Sequence, residues 1–343
     1  MKSETARPWI ISLVLLAAAL LLSVAVGSVF IPPATLATVL LSGPAGSPSL
    51  PEAMRPFVTI LFSLRLPRTI LMALVGAALA GSGTAYQGLF RNPLADPYLI
   101  GIASGAGLGA VVAINLNLPY GDLGLFIIPI FAFAGAVLTV IIVYQLARVG
   151  KTLPTTNLIL SGVAVSSFTT ALTSFLMLSA TDELRRSFVW LLGGATLSGW
   201  QPVLAMLPYV TIGLGSLLAS GHALNVLQFG DEQAEQLGIN VTRTRQLIIL
   251  AASLTTAAAV SFTGIIGFIG LIVPHLIRLL WGGNYRSLLG LSILNGATLL
   301  LLADILSRVV LAPQEVPVGI ITALCGAPFF LWVLRRAREQ NNW

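Results

Sequence analysis

Charge is what this sequence has least of. Only 9% of its 343 residues are Asp, Glu, Lys or Arg, against about 25% in ordinary soluble domains. So few charges cannot cover the surface of a soluble protein of this length. Cysteine is nearly absent: Cys325 stands alone inside an apolar run, which excludes a disulfide framework. The two histidines, His222 and His275, lie far apart in sequence, with no carboxylate or cysteine at ligand spacing, so no metal site is expected. Basic residues interleaved with aromatics, as single-stranded nucleic acids require, are also missing, and nucleic acid is excluded as a partner. No nucleophile–base pair stands out.

What the chain has instead is hydrophobic length. It is 56% apolar with a mean hydropathy of +0.94. A bilayer-crossing helix needs about 20 apolar residues. Alternating ten-residue strands are lacking and every apolar run is helix-length, so the spans are helices. The fold class expected is an all-α polytopic membrane protein with about ten transmembrane helices, over 9–30, 64–88, 99–118, 123–147, 154–178, 200–219, 242–262, 265–281, 287–311 and 316–335. The eighth is broken around Pro274, and 185–197 reads as a short helix that does not cross. The stretch 42–56 reads as loop. The first run, about 22 residues from Trp9, exceeds the 7–15 of a cleaved signal and reads as a retained span. No second soluble domain has room, so 1–343 is read as one transmembrane domain.

Ten spans put both termini on one side, and the positive-inside rule chooses which. With both termini cytoplasmic, Lys2, Arg7, Arg91, Arg148, Lys151, Arg243, Arg245, Arg278, Arg286, Arg335, Arg336 and Arg338 lie inside. Arg55, Arg65, Arg68, Arg185, Arg186 and Arg308 lie outside. The acids divide evenly, so the whole net charge of +6 sits inside. The chain is therefore expected in the plasma (inner) membrane, in contact with lipid, and Arg65 and Arg68 of "SLRLPRTILMALVGAALAGSG" lie outside against the usual bias.

Motifs for energy supply fail. "QLARVGKT" ends like a phosphate loop, but that loop needs a glycine where Gln145 stands, and no strand precedes it. An ion-coupled secondary transporter, the alternative reading, needs a mid-membrane acid or histidine. Asp304 in "LLLLADILSRVVL" is the only acid deep in a run, and Arg308 four residues on can neutralise it. The pore has no engine of its own, so a partner must supply the energy. The longest inner polar segment, "LQFGDEQAEQLGINVTRTRQ" (a coupling loop over about 225–241), could dock as a helical lever or simply lie in solvent. In the fifth span, Ser161, Ser166, Thr169, Thr170 and Thr173 either bond backbone carbonyls one turn back and glue helices, or line a polar, uncharged pathway. In "YQGLFRNPLADPYLIGIASGAGLGA", Pro93 and Pro97 break the helix, and the glycines at 101, 105, 107 and 109 permit close helix packing.

The stretches "LRLPRTILMALVGAALAGSG", "FRNPLADPYLIG", "EQAEQLGI", "GFIGLIVPHLIRL", "LLLADILSR" and "VPVGIITALCGAPFFLWVL" occur in family order over about 60–335. Together they closely resemble the permease subunit of type II ABC importers, which take up cobalamin, ferric siderophores and heme. The resemblance implies ten spans, a permease homodimer, two cytoplasmic ABC ATPase subunits and an extracytoplasmic solute-binding protein. It implies no cofactor and no catalytic residue in this chain; ATP and Mg are used by the partner ATPase. By motif match, Arg65, Arg68 and Arg308 would meet acids of the binding protein. Asn92 and Leu94, with Thr155 and Thr156, would form the cytoplasmic gate. Pro154-Thr155-Thr156 stands where relatives often have Ser-Thr-Ser. Asp231, Glu232, Glu235, Gln236, Leu237 and Gly238 would couple to the ATPase.

Overall fold

A computed structural model describes residues 2–27, 29–44, 51–116, 124–150, 153–179, 183–195 and 197–340; Lys151 lies outside them. Among these the regular secondary structure is built of helices. In order the helices are α1 (Lys2–Ala25), α2 (Pro33–Ser42), α3 (Arg55–Thr59), α4 (Leu66–Leu89), α5 (Ile102–Asn115), α6 (Gly124–Ala147), α7 (Thr155–Ser179) and α8 (Leu184–Leu191). There follow α9 (Gln201–Ala219), α10 (Gly221–Leu227), α11 (Asp231–Gln236), α12 (Val241–Thr263), α13 (Ile269–Trp281), α14 (Tyr285–Val309) and α15 (Val318–Gln340).

Among the described residues seven helical stretches are long and apolar enough to cross a membrane: those of α1, α6, α7, α9, α12 and α14, and the continuous run Arg55–Leu89. The other three expected spans correspond to α5, α13 and α15. At 1.5 Å per residue, α5 and α13 reach only about 20 Å, short of a hydrocarbon core of about 30 Å. A 3₁₀ turn over Pro97–Ile100 lengthens the approach to α5.

Two boundaries differ from expectation. The first span stops at Ala25 rather than near residue 30, because the chain turns at Gly27 and arginines from other helices take its last carbonyls. The second begins earlier: α3 and a π-helical turn over Ile60–Arg65 run unbroken into α4. Hydropathy missed this extension because Arg55 and Arg65 interrupt it. It also missed α2, which is too short to be a span. With α3 and the π turn, α2 builds a small separate core of Val24, Ile31, Leu36, Val39, Val58 and Leu61.

α4 is the axis of the bundle. From Leu71 to Leu89 it is buried almost all round, as expected for a helix apolar on every face. It packs on α9, α12, α13 and α14, while α5 packs on α6 and α7. At Gly76 and Gly296 the contact of α4 with α14 is backbone to backbone. A Cβ on Gly76 would lie 2.3 Å from the Gly296 carbonyl oxygen, so only glycine lets these helices meet. α5 meets α6 the same way, with a Cβ on Gly105 falling 2.5 Å from the Gly135 carbonyl oxygen.

The break before α13 interrupts the chain inside the membrane-crossing bundle. Residues 264–267 are non-helical and Phe268 is left-handed (φ 71°). Unpaired backbone is tolerated at such depth only where it is buried in protein or lines a cavity. Here neighbours supply the missing partners. The Tyr98 hydroxyl donates to the Ile266 carbonyl at 2.8 Å, and the Gly194 N–H donates to the Thr263 carbonyl at 2.6 Å.

Candidate functional site

Three regions carry the polar chemistry, one at each end of the bundle and one between. At one end the C-terminus of α1 meets the start of α4 and the end of α14. The last carbonyls of a helix have no partners of their own, and here two guanidiniums supply them. Arg65 Nη1 donates to Val24 O at 2.7 Å and to Ala25 O at 2.9 Å, and its Nη2 donates to Val29 O. Both Nη atoms of Arg308 donate to Ser23 O at 3.1 Å. A cation at a helix C-terminus also meets the favourable end of the helix dipole. Arg65 is 8% exposed and Arg308 is 4% exposed. The expectation that both sit on the outer surface is corrected: they are buried, held by the backbone they cap.

Arg68 is different. Its Nε and Nη2 both reach Asp304 Oδ1, at 3.0 and 2.9 Å, while its Nη1 donates to Glu315 at 2.8 Å. Asp304 is fully buried and also pairs with Arg308 at 3.1 Å. The i,i+4 neutralisation read from the sequence is present, but Arg68 adds a second cation that sequence spacing could not reveal. Arg65, Arg68, Arg308 and Glu315 all line one cavity of about 440 Å³, together with Gly27, Leu64 and Ser198. A Cβ on Gly27 would fall 3.0 Å from Arg65 Nη2 and 3.4 Å from Arg308 Nη1. Buried though they are, the arginines are reached from this cavity.

At the opposite end α4 runs out at Leu89 into the Asn-Pro turn. The Asn92 side chain accepts from the Leu94 N–H at 2.9 Å, closing the turn, and Asn92 is exposed and Leu94 half-buried. Arg91 takes a left-handed conformation (φ 51°) and donates to Asp231 Oδ1; Arg245 of α12 reaches the same oxygen at 2.8 Å. Asp231 thus ties α11 to both α4 and α12. The rest of the segment points away: Glu232, Glu235, Gln236, Leu237 and Gly238 are exposed, with Leu237 at 65% and the neighbouring Phe229 at 68%. Thr155, half-buried, and Thr156, exposed, form the first turn of α7. Among the described residues no hydrogen bond joins them to Asn92 or Leu94.

Between the ends, α7 packs against the 3₁₀ turn, with Gly162 closing on the Leu99 carbonyl. The hydroxyls expected to line a pathway divide. Thr169 and Thr173 face the bundle and bond back to Val165 O and Thr169 O, at 3.0 and 2.8 Å; this corrects their assignment to an open lining. Thr170 lies on the exposed face, and Ser161 and Ser166 on its flank. Ser166 and Ser167 line a cavity of about 490 Å³ with Asp96, Tyr98, Leu99 and the left-handed Phe268. Asp96 was missed, although it stands in the quoted "NPLADP" motif. It caps the 3₁₀ turn, accepting from the Tyr98 N–H at 2.8 Å. Burial pushes its carboxyl up to about 6, and the Tyr98 N–H only partly opposes this.

The chain matches known proteins over nearly its whole length. The model of the FecCD transport family matches residues 15–336. The chain belongs to the FecCD transport family. It is 48% identical to the cobalamin import system permease protein BtuC of Halobacterium salinarum over 276 residues, 80% of this chain and 73% of that protein. It is 42% identical to the hemin transport system permease protein HmuU of Yersinia pestis over 290 residues, 82% of this chain and 85% of that one. Its fold is similar to a solved inward-facing ABC transporter assigned to the metal-chelate type, with a TM-score of 0.80 at 30% identity, covering 96% of this chain and 98% of that one. The FecCD chain is thus an integral multi-pass membrane protein, the permease subunit of an ABC importer.

Proposed function

We propose that this permease works as a homodimer that passes a bulky metal chelate (an iron–siderophore, heme or cobalamin) into the cytoplasm. The whole chain acts as one transmembrane domain with both termini cytoplasmic. Two separate ATPase subunits hydrolyse ATP with Mg and bear on α11. A solute-binding protein delivers cargo at the arginine-lined end, where its acids enter the cavity of Arg65, Arg68 and Arg308. Asn92, Leu94, Thr155 and Thr156 close the cytoplasmic side, and Ser161, Ser166 and Thr170 line the way to it.

One observation carries this reading. The chain has an arginine-lined cavity at one end and, at the other, a short helix whose acidic and apolar side chains (Glu232, Glu235, Leu237) have no place in its own core. Exposed apolar residues beside charge are the mark of a docking surface. Relatives named for cobalamin and hemin set the cargo class.

The test is reconstitution of the permease with its cognate ATPase and binding protein in liposomes. Uptake of a chelate should require ATP and the binding protein together. Uptake driven by an ion gradient without ATP would defeat the proposal.

A further inference from the structure

A separate cavity of about 380 Å³ lies between the C-terminal half of α6 and the N-terminal half of α12. Its length is apolar: Val137, Val140 and Ile141 on one side, Ile249, Leu250 and Leu254 on the other. Its polar groups gather toward the α6 C-terminus. There the Tyr144 hydroxyl accepts from Gln246 Nε2 at 2.9 Å across the gap, which leaves its own proton free to donate.

Two cations continue this lining toward the surface. Arg148 directly follows the last residue of α6, four positions after Tyr144, and Arg243 precedes Gln246 by three in the first turn of α12, so both stand beyond the end of the groove where Tyr144 and Gln246 meet. Both are exposed. Arg148 Nε donates to Gly150 O at 2.8 Å, leaving its Nη groups, and the Arg243 guanidinium has no acceptor among the described residues. At the same end Arg91 and Arg245 are taken up by Asp231. The unclaimed positive charge therefore sits at the mouth of the apolar groove.

We infer that this groove holds an anionic phospholipid of the cytoplasmic leaflet. One acyl chain lies along α6 and α12, the phosphate sits between Arg148 and Arg243, and a glycerol-ester carbonyl accepts from Tyr144. The apolar walls fit any acyl chain; the two free guanidiniums select the headgroup, as basic pockets between spans on the cytoplasmic side do. The leaflet rests on the orientation given under Proposed function; the site itself does not.

The experiment uses the permease–ATPase complex in nanodiscs of phosphatidylglycerol and phosphatidylcholine with identical acyl chains, extracted into detergent and assayed for retained lipid. The unmodified complex should retain phosphatidylglycerol selectively. The pair Arg148→Gln and Arg243→Gln, both on the surface, should lower that retention about tenfold, or about 1.4 kcal/mol. Val140→Trp, which fills the groove, should displace both lipids. Unchanged phosphatidylglycerol retention in the charge variant, or no preference over phosphatidylcholine in the unmodified complex, overturns the site. Separately, Arg148→Cys in a Cys325→Ser background should react with an impermeant maleimide from the cytoplasmic side. Reaction from the outer side only would overturn the leaflet and the orientation, whatever lipid is retained.

Discussion

Asp304, wholly buried, accepts two N–H groups of Arg68 on a single carboxylate oxygen, at 3.0 and 2.9 Å. With Arg308 on its other oxygen, this one acid pairs with two cations that α4 and α14 bring together. Removing one member of a buried charge set costs about 3–5 kcal/mol, because the partners stay buried and unpaired. Asp304→Asn is therefore expected to lower the melting temperature in detergent sharply. Loss of the half-exposed partner, Glu315→Gln, should cost about 0–1 kcal/mol. Equal melting of both variants would show that Asp304 is not the centre of the cluster.

Glu315 also competes with any acid the binding protein brings to Arg68. Freeing Arg68 Nη1 by Glu315→Gln should raise affinity for the binding protein, mainly through association rate, by about tenfold or less, with a steeper loss in salt. Affinity on an immobilised permease at two salt concentrations measures this. Unchanged affinity would take Arg68 out of the docking surface. Arg65→Ala should lose stability through uncapped α1 carbonyls and, with one cation gone from the cavity, also weaken affinity per folded molecule.

The exposed face of α11 predicts a coupling defect. Leu237→Ala with Phe229→Ala should weaken ATPase co-purification about tenfold or more, in line with the cost of losing apolar anchors. Asp231→Asn should leave the ATPase bound but lower uptake per ATP hydrolysed, since it unties α11 from α4 and α12. Parallel pull-down and uptake measurements separate the two, and full coupling in both variants would remove α11 from the interface.

For the gate, Leu94→Cys and Thr155→Cys in the Cys325→Ser background should each crosslink to the same position of a second copy in at least one nucleotide state. A folded dimer that never crosslinks would place the gate elsewhere.

Asp96 gives a pH prediction. With its folded value near 6 and an unfolded value near 3.9, the native state holds a proton that the unfolded chain releases between those values. This contribution is fully present below about pH 4 and is lost as pH rises through 6. Asp96→Asn keeps the N-cap acceptor and removes the titration. Its melting temperature should therefore gain on the unmodified protein between pH 5 and pH 7. Parallel curves would mean that Asp96 is ionised throughout.

Most of the helices could be read from hydropathy because lipid imposes a length on them; α12, expected over 242–262, is Val241–Thr263. The pairing of Asp304 with Arg308 was legible because four residues make one turn. Arg68 lies 236 positions from Asp304, and no periodicity links them. The burial of Arg65 depends on where α1 stops, which a hydropathy run through Val29 and Phe30 conceals. The burial of Thr169 and Thr173 was hidden because the hydroxyls of α7 fall all round the helix.

Where Gly76 meets Gly296, no layer of side chains lies between α4 and α14. Sliding of one packed helix past another works by side chains stepping between alternative nests. Two backbones in direct contact have nothing to step. To slip by a turn, α4 and α14 must first separate, losing contact along their whole shared length. The pair is therefore expected to move as one body. Alternation between open and closed states falls to elements that meet the pair through side chains or broken backbone, among them the glycine-flanked segment that leads into α13.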